Sequence, residues 1–190
     1  ILSIGALGLL VLGAYLGDRR SGLISALVGG VLIVAAFAAA LGGQGEAFGG
    51  SFVMDQASAF AKVVMYVAAA VAVVLGQGWL ERQGSARFEY PILILLSTLG
   101  MSIMVSAGDL IAVYLGLELQ SLAIYVLAAF QRDDAKSSEA GLKYFVLGAL
   151  SSGLLLYGAS LIYGYTGSMR FEDIAAVVGS SADFGVLFGL

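Results

Sequence analysis

The sequence predicts an all-α integral membrane protein, a polytopic bundle of transmembrane helices. Of its 190 residues, 60% are hydrophobic and only 12% are charged, about half the charged share of an ordinary soluble domain. Long stretches carry no charge at all: residues 1–17, 22–44, 63–80, 90–108 and 144–169. Apolar runs of about 20 residues are typical of helices that cross a bilayer.

Polar residues mark the joints between the predicted helices. The first span ends at a charged Asp-Arg-Arg-Ser segment, a glycine-rich acidic stretch follows the second, and Pro91 suits the first turn of the fourth helix. Ser106 or Asp109 can cap the fifth helix. We therefore expect one membrane domain, residues 1–190, with about six complete helices at 1–17, 23–42, 56–79, 89–107, 109–130 and 139–164. A longer connection over 166–183 precedes a seventh span that starts near 183–190, so we expect a piece of a longer polypeptide.

The distribution of basic residues predicts the orientation in the membrane. Six lysines and arginines lie in the joints after spans one, three and five, and only Arg170 lies in a joint after an even span. Basic loops stay in the cytoplasm. The N-terminus is therefore predicted on the outer side.

The composition also limits the chemistry of the chain. It contains neither cysteine nor histidine, which removes thiolate metal sites, disulfides and the commonest metal and haem ligand. We expect no cofactor, no metal and no catalytic redox residue in this chain. The expected surroundings are the lipid bilayer, and we expect no nucleic-acid partner.

Glu118 is the most informative residue, because it lies in the middle of the apolar fifth span. A carboxylate at that depth costs at least about 2.5 kcal/mol on insertion scales, and such residues mark ion or proton pathways. Tyr114, Ser121 and Tyr125 share its helix face at spacings of three, four and seven. A carboxylate among hydroxyls can exchange protons along a hydrogen-bonded chain. The alternative is a buried ion pair that only fixes helix packing.

Two lysines remain open to two interpretations each. Lys143, near the start of the sixth helix, either pairs with Glu139 one turn earlier and extends toward the interface, or points inward as a proton-carrying partner of Glu118. Lys62, near the start of the third helix, is likewise either an interfacial residue or a site. Small residues on the sixth helix, with Ser152 among them, favour close helix packing or bound water.

Residues 109–130 and 137–158, which contain Glu118 and Lys143, closely resemble subunit N of bacterial NADH–quinone oxidoreductase, the respiratory complex I. The resemblance is most specific over residues 90–168. It implies the antiporter-like fold, of which this chain would be the N-terminal portion. It also implies that Glu118 matches the proton-handling glutamate of the fifth helix and Lys143 a lysine of this region.

The resemblance implies a function and a location as well. The chain would be a non-redox, proton-translocating subunit of the bacterial cell inner membrane, multi-pass, with other membrane-arm subunits as partners and no direct NADH or quinone site. As an enzyme it would act only as part of the oxidoreductase. The alternatives are a subunit of a cation/proton antiporter or a membrane-bound hydrogenase, and a structural scaffold of the membrane arm in which Glu118 only joins helices.

Overall fold

The structure, a computed structural model, describes residues 1–180 and Gly189. Within these residues the chain forms α-helices joined by short connections and one β-hairpin. The elements are α1 Leu2–Leu16, α2 Ser21–Leu41, β1 Gly45–Ala47, β2 Phe52–Met54, α3 Gln56–Arg82, α4 Glu89–Val105, α5 Leu110–Ala128, α6 Ala135–Thr166 and α7 Phe171–Ser180. The predicted fold class, an all-α membrane bundle, is confirmed.

The helices differ in how well their lengths match a bilayer. Among the helices of the described residues, four are long and apolar enough to cross a membrane: α2 with the residues that lead into it, α3, α5 and α6. The apolar helices α1 and α4 have only 15 and 17 residues, about 22 and 26 Å at 1.5 Å per residue, against a hydrocarbon core of about 30 Å. Both are two residues shorter than the spans 1–17 and 89–107 predicted for them.

The core lies where α1, α2, α3 and α4 meet. On α2 the fully buried residues Ile24, Val28 and Leu32 recur every fourth position and meet Val73 of α3 and Leu95 of α4. The opposite faces of these helices remain apolar and exposed, a pattern suited to lipid, where the backbone hydrogen bonds of a helix are already satisfied within it.

Helices α4 and α5 cross at two glycines. A Cβ added to Gly100 would lie 2.5 Å from the Gln120 backbone nitrogen, and one added to Gly116 would lie 2.7 Å from that of Met104. Only a residue without a side chain allows two backbones this close, as is common between membrane helices. The crossing sets the position of α5, which carries Glu118.

The glycine-rich connection between α2 and α3 contains an antiparallel hairpin that the sequence did not predict. Strands β1 and β2 pair with Glu46 opposite Val53. The hairpin then binds the turn between α4 and α5: Val53 donates its N–H to the Ser106 carbonyl (2.7 Å), and the Gly108 N–H donates to the Ser51 carbonyl (2.9 Å). The hairpin thereby joins the starts of α3 and α5.

The connection predicted at 166–183 contains the short helix α7. The residue before α7 contacts the hairpin: the Arg170 guanidinium donates a hydrogen bond to the Gly49 carbonyl at 3.1 Å. The Leu110 N–H also donates to the Met169 carbonyl at 3.0 Å. The seventh span predicted near 183–190 lies outside the described residues, apart from Gly189.

Candidate proton site

Glu118 lies at the interface of α5 and α6, where a serine reaches it. The Ser152 hydroxyl donates a hydrogen bond to Glu118 Oε1 and lies 3.3 Å from the Tyr114 hydroxyl. Each hydroxyl carries one proton and accepts others. The three side chains can therefore be linked in series, from Tyr114 through Ser152 to the carboxylate.

The site lies far from the ends of both helices. Glu118 is the ninth of the 19 residues of α5, and Ser152 is the eighteenth of the 32 residues of α6. Both side chains are half-buried within the described part of the chain. A carboxylate at this depth with a hydroxyl donor has a partner for its charged form, which lowers the cost of keeping it there.

The other two residues on the predicted face do not join this group. The Tyr125 ring packs against Tyr144 and Phe145 of α6, with ring centroids 4.9 and 5.8 Å away, and a Cβ at Gly148 would lie 1.8 Å from its hydroxyl. Ser121 is half-buried, and its hydroxyl has no hydrogen-bond partner among the described residues. The structure thus brings Tyr114 and Ser152, but not Ser121 or Tyr125, to Glu118.

In the structure Lys143 pairs with Glu139, the first of the two interpretations given for it above. Its ammonium donates to the carboxylate of Glu139 one turn earlier on α6, and both side chains are more than half exposed in the described chain, at 69% and 62%. No described contact joins Lys143 to Glu118. A role for Lys143 in proton handling stays a prediction.

Sequence reasoning missed one contact of the polar interior and left the placement of Lys62 open. The contact of Ser152 with Glu118 had no signal beyond the small-residue face of α6. The burial of Lys62, which is 3% exposed, contradicts the interfacial interpretation. The available signal was its register with Ser58, Tyr66 and Val73, all on the buried face of α3.

A second buried polar cluster lies at the other end of α3. Gln77 accepts from the Ser25 hydroxyl at 2.9 Å and donates to Ser21 at 3.1 Å and to Glu81 at 2.8 Å. Each polar atom of this amide is satisfied, as buried amides generally are. The cluster therefore joins α2 to α3. Over residues 1–180 no group of three or more acidic, histidine or cysteine side chains is arranged to hold a metal ion.

Comparison with known proteins first gives the class of membrane protein whose fold this chain shares. Residues 107–189 match a family model described as "NADH:quinone oxidoreductase/Mrp antiporter, TM". In fold, 99% of the chain matches 42% of a chain of respiratory complex I from Thermus thermophilus with bound aureothin, at a TM-score of 0.76 and 30% identity. The same 99% of the chain matches 39% of a chain of the Mrp complex from Dietzia sp. DQ12-45-1b, at a TM-score of 0.73 and 24% identity. This second match is a likeness of fold alone. The fold is that of the antiporter-like membrane subunits.

Sequence identity then shows which proteins of this class the chain is similar to. The whole chain is 52% identical to NADH-quinone oxidoreductase subunit N of Maricaulis maris (strain MCS10) and to that of Beijerinckia indica subsp. indica. The resemblance to subunit N is therefore confirmed over the full length of the chain. The chain spans about 40% of the length of these relatives.

Proposed function

We propose that this chain is part of the proton-translocating subunit N of a bacterial NADH–quinone oxidoreductase, and that Glu118 takes up and releases the proton. The observation that carries the proposal is the contact of Glu118 with Ser152 in the middle of two adjacent helices. The 52% identity to proteins named subunit N supports the choice of complex over an antiporter or a hydrogenase.

The geometry supports a relay without redox chemistry. A charged Glu118 accepts the Ser152 proton in a hydrogen bond; a protonated Glu118 donates instead, and the Ser152 hydroxyl turns to face Tyr114. One proton can thus pass along the three groups while each oxygen stays hydrogen-bonded. Electron transfer would take place in other subunits, and Lys143 would serve as a further proton carrier on α6.

The proposal includes the surroundings of the chain. The exposed apolar residues of α5 and α6, with Leu115, Leu122, Leu147 and Leu154 among them, suit lipid, the rest of the subunit and neighbouring membrane-arm subunits. The excess of basic residues in the odd joints favours an N-terminus on the periplasmic side of the cell inner membrane.

The test replaces Glu118 and its partner in the complete oxidoreductase. Proton pumping and NADH–quinone electron transfer are measured in the same membrane vesicles and divided by the amount of assembled complex. Glu118→Gln keeps size and hydrogen bonding but removes the exchangeable carboxyl proton. We expect pumping and coupled turnover to fall about 100-fold or more, because a positioned proton-transfer group typically contributes about 10²- to 10⁴-fold.

Ser152→Ala should lower pumping less than Glu118→Gln, because it removes the donor and leaves the carboxylate. Ser151→Ala is the matched control, since Ser151 is the adjacent residue of α6 and is exposed. If Glu118→Gln assembles normally and pumps at the unsubstituted rate, Glu118 is structural and the proposal fails. Reduced assembly with normal pumping per assembled complex would support the scaffold alternative.

A further inference from the structure

Lys62 is a buried amine that forms no salt bridge within the described residues. The residue is 3% exposed, and its Nζ donates to the Ser106 hydroxyl at 2.5 Å and to the Met54 sulfur at 3.2 Å. The Phe52 ring lies 4.5 Å from the same nitrogen. Among the described residues no acidic oxygen lies within 4.0 Å of it. Lys62 belongs to the α3–α4 interface and Glu118 to that of α5 and α6.

Packing alone does not explain a lysine at this position. A buried ammonium loses its hydration, and one hydroxyl, a thioether and a ring replace only part of it. An apolar residue of similar volume generally serves a purely structural role as well or better. Proteins use lysines removed from water as groups that gain and lose a proton.

A second polar pair continues the contact into the bundle. The hydroxyls of Tyr66 and Ser102 lie 2.7 Å apart. Tyr66 follows Lys62 by one turn on α3, and Ser102 precedes Ser106 by one turn on α4. The two helices therefore present two consecutive polar contacts, and all four side chains carry exchangeable protons.

The Lys62–Ser106 contact separates two spaces. On the hairpin side, Ser106 borders a polar cavity of about 250 Å³ that also reaches Glu46, Asp55, Arg170 and Glu172. On the other side, Lys62, Tyr66 and Ser102 border a larger, mainly apolar groove of about 590 Å³, which the exposed residues Ile1, Phe48 and Leu115 also line. Lys62 is thus the basic group between a charged cavity and an open apolar groove.

The charged groups of the cavity that Ser106 borders come from the hairpin and from the starts of α3 and α7. They are Glu46, Asp55, Arg170 and Glu172. The three carboxylates of the surface cavity outnumber its one guanidinium. This excess of negative charge favours the arrival of a proton at the cavity.

We propose that Lys62 is a second proton-binding site of the chain, exchanging with the hairpin-side cavity through Ser106 and facing inward to the Tyr66–Ser102 pair. In one transfer an Nζ proton passes to Ser106 Oγ while the Ser106 proton passes to water in the cavity. Lys62 becomes a neutral amine and one proton leaves. The inference rests on the proposed translocation of protons by the chain.

The test uses Lys62→Arg, Lys62→Met and Ser106→Ala in the complete oxidoreductase. Lys136→Met is the control for loss of an exposed lysine, since Lys136 lies exposed in the first turn of α6. Arginine keeps the charge but does not release a proton. Methionine keeps the stem without an amine. Pumping, electron transfer, assembled amount and thermal stability are measured together.

We expect Lys62→Arg to assemble and its pumping per complex to fall about 100-fold or more, with a smaller loss for Ser106→Ala and none for Lys136→Met. If Lys62→Arg and Ser106→Ala change stability but pump normally per assembled complex, Lys62 is a structural residue. Should Lys62→Met fail to assemble, the arginine and Ser106 variants decide the question. If Glu118→Gln blocks pumping while Lys62→Arg does not, this inference fails and the proposed function stands.

Discussion

The crossing of α4 and α5 gives a stability prediction that the structure makes quantitative. In Gly100→Ala the new Cβ would lie 2.5 Å from the Gln120 backbone nitrogen and 2.6 Å from the Gly116 carbonyl oxygen. Ordinary van der Waals contact begins at 3.4 Å, so the shortfall is 3.4 − 2.5 = 0.9 Å. The atoms that obstruct it belong to the backbone and cannot rotate away. The two helices must therefore separate.

The cost follows from that separation. A gap of 0.5–1 Å removes about a quarter to a half of the dispersion energy of each affected contact, and overpacking a filled interface costs about 1–3 kcal/mol. Gly116→Ala meets Met104 at 2.7 Å across the same crossing and should cost a similar amount. The double variant should cost less than the sum, because one separation relieves both clashes.

The measurement is the thermal midpoint of the purified complete complex, with the amount of assembled complex in the membrane as a second readout. Gly30→Ala is the matched control, since Gly30 is exposed within α2 and no described atom beyond its own helix turns lies within 4 Å of its added Cβ. This control should be neutral or slightly stabilising, because alanine is the better helix former. A Gly100→Ala complex as stable as the control, or strictly additive costs in the double variant, would refute the reasoning.

Two further predictions concern charged groups. Lys143→Met should lower pumping in vesicles more than Glu139→Gln does. A proton carrier needs the amine, whereas an exposed ion pair adds little stability. Equal effects of the two variants would mean that Lys143 serves only as the ion-pair partner of Glu139. Asp55 caps α3, and the Ser58 backbone N–H and hydroxyl hold the pKa of this carboxyl below its usual value. Its stabilisation is therefore complete above about pH 3.9 and is lost as the pH falls through the lowered pKa. Asp55→Ala should lower the thermal midpoint at pH 7, and the difference should shrink below pH 4; a difference independent of pH would contradict this assignment.

Elements whose signal is local were predictable from the sequence. Asp109 was a candidate cap of the fifth helix, and in the structure its carboxylate accepts the Ala112 N–H at 2.7 Å. A cap acts over three residues, so the chain order alone reveals it. The hairpin was harder to predict from the sequence. Its strands have only three residues each, and it is stabilised by contacts with the 106–108 turn, which is distant in the chain.

The sequence by itself determined that the chain enters a membrane and that Glu118 lies in the middle of a span, because run length and charge position are properties of the chain alone. Only the tertiary structure decided that Ser152 meets Glu118, that Tyr125 packs on Gly148 and that Lys62 is buried. In a soluble helix a polar face would have marked the buried side. In a membrane helix both the lipid-facing and the core-facing sides are apolar. Which residues become neighbours therefore depends on how the helices pack, and this cannot be read from the order of residues in the chain.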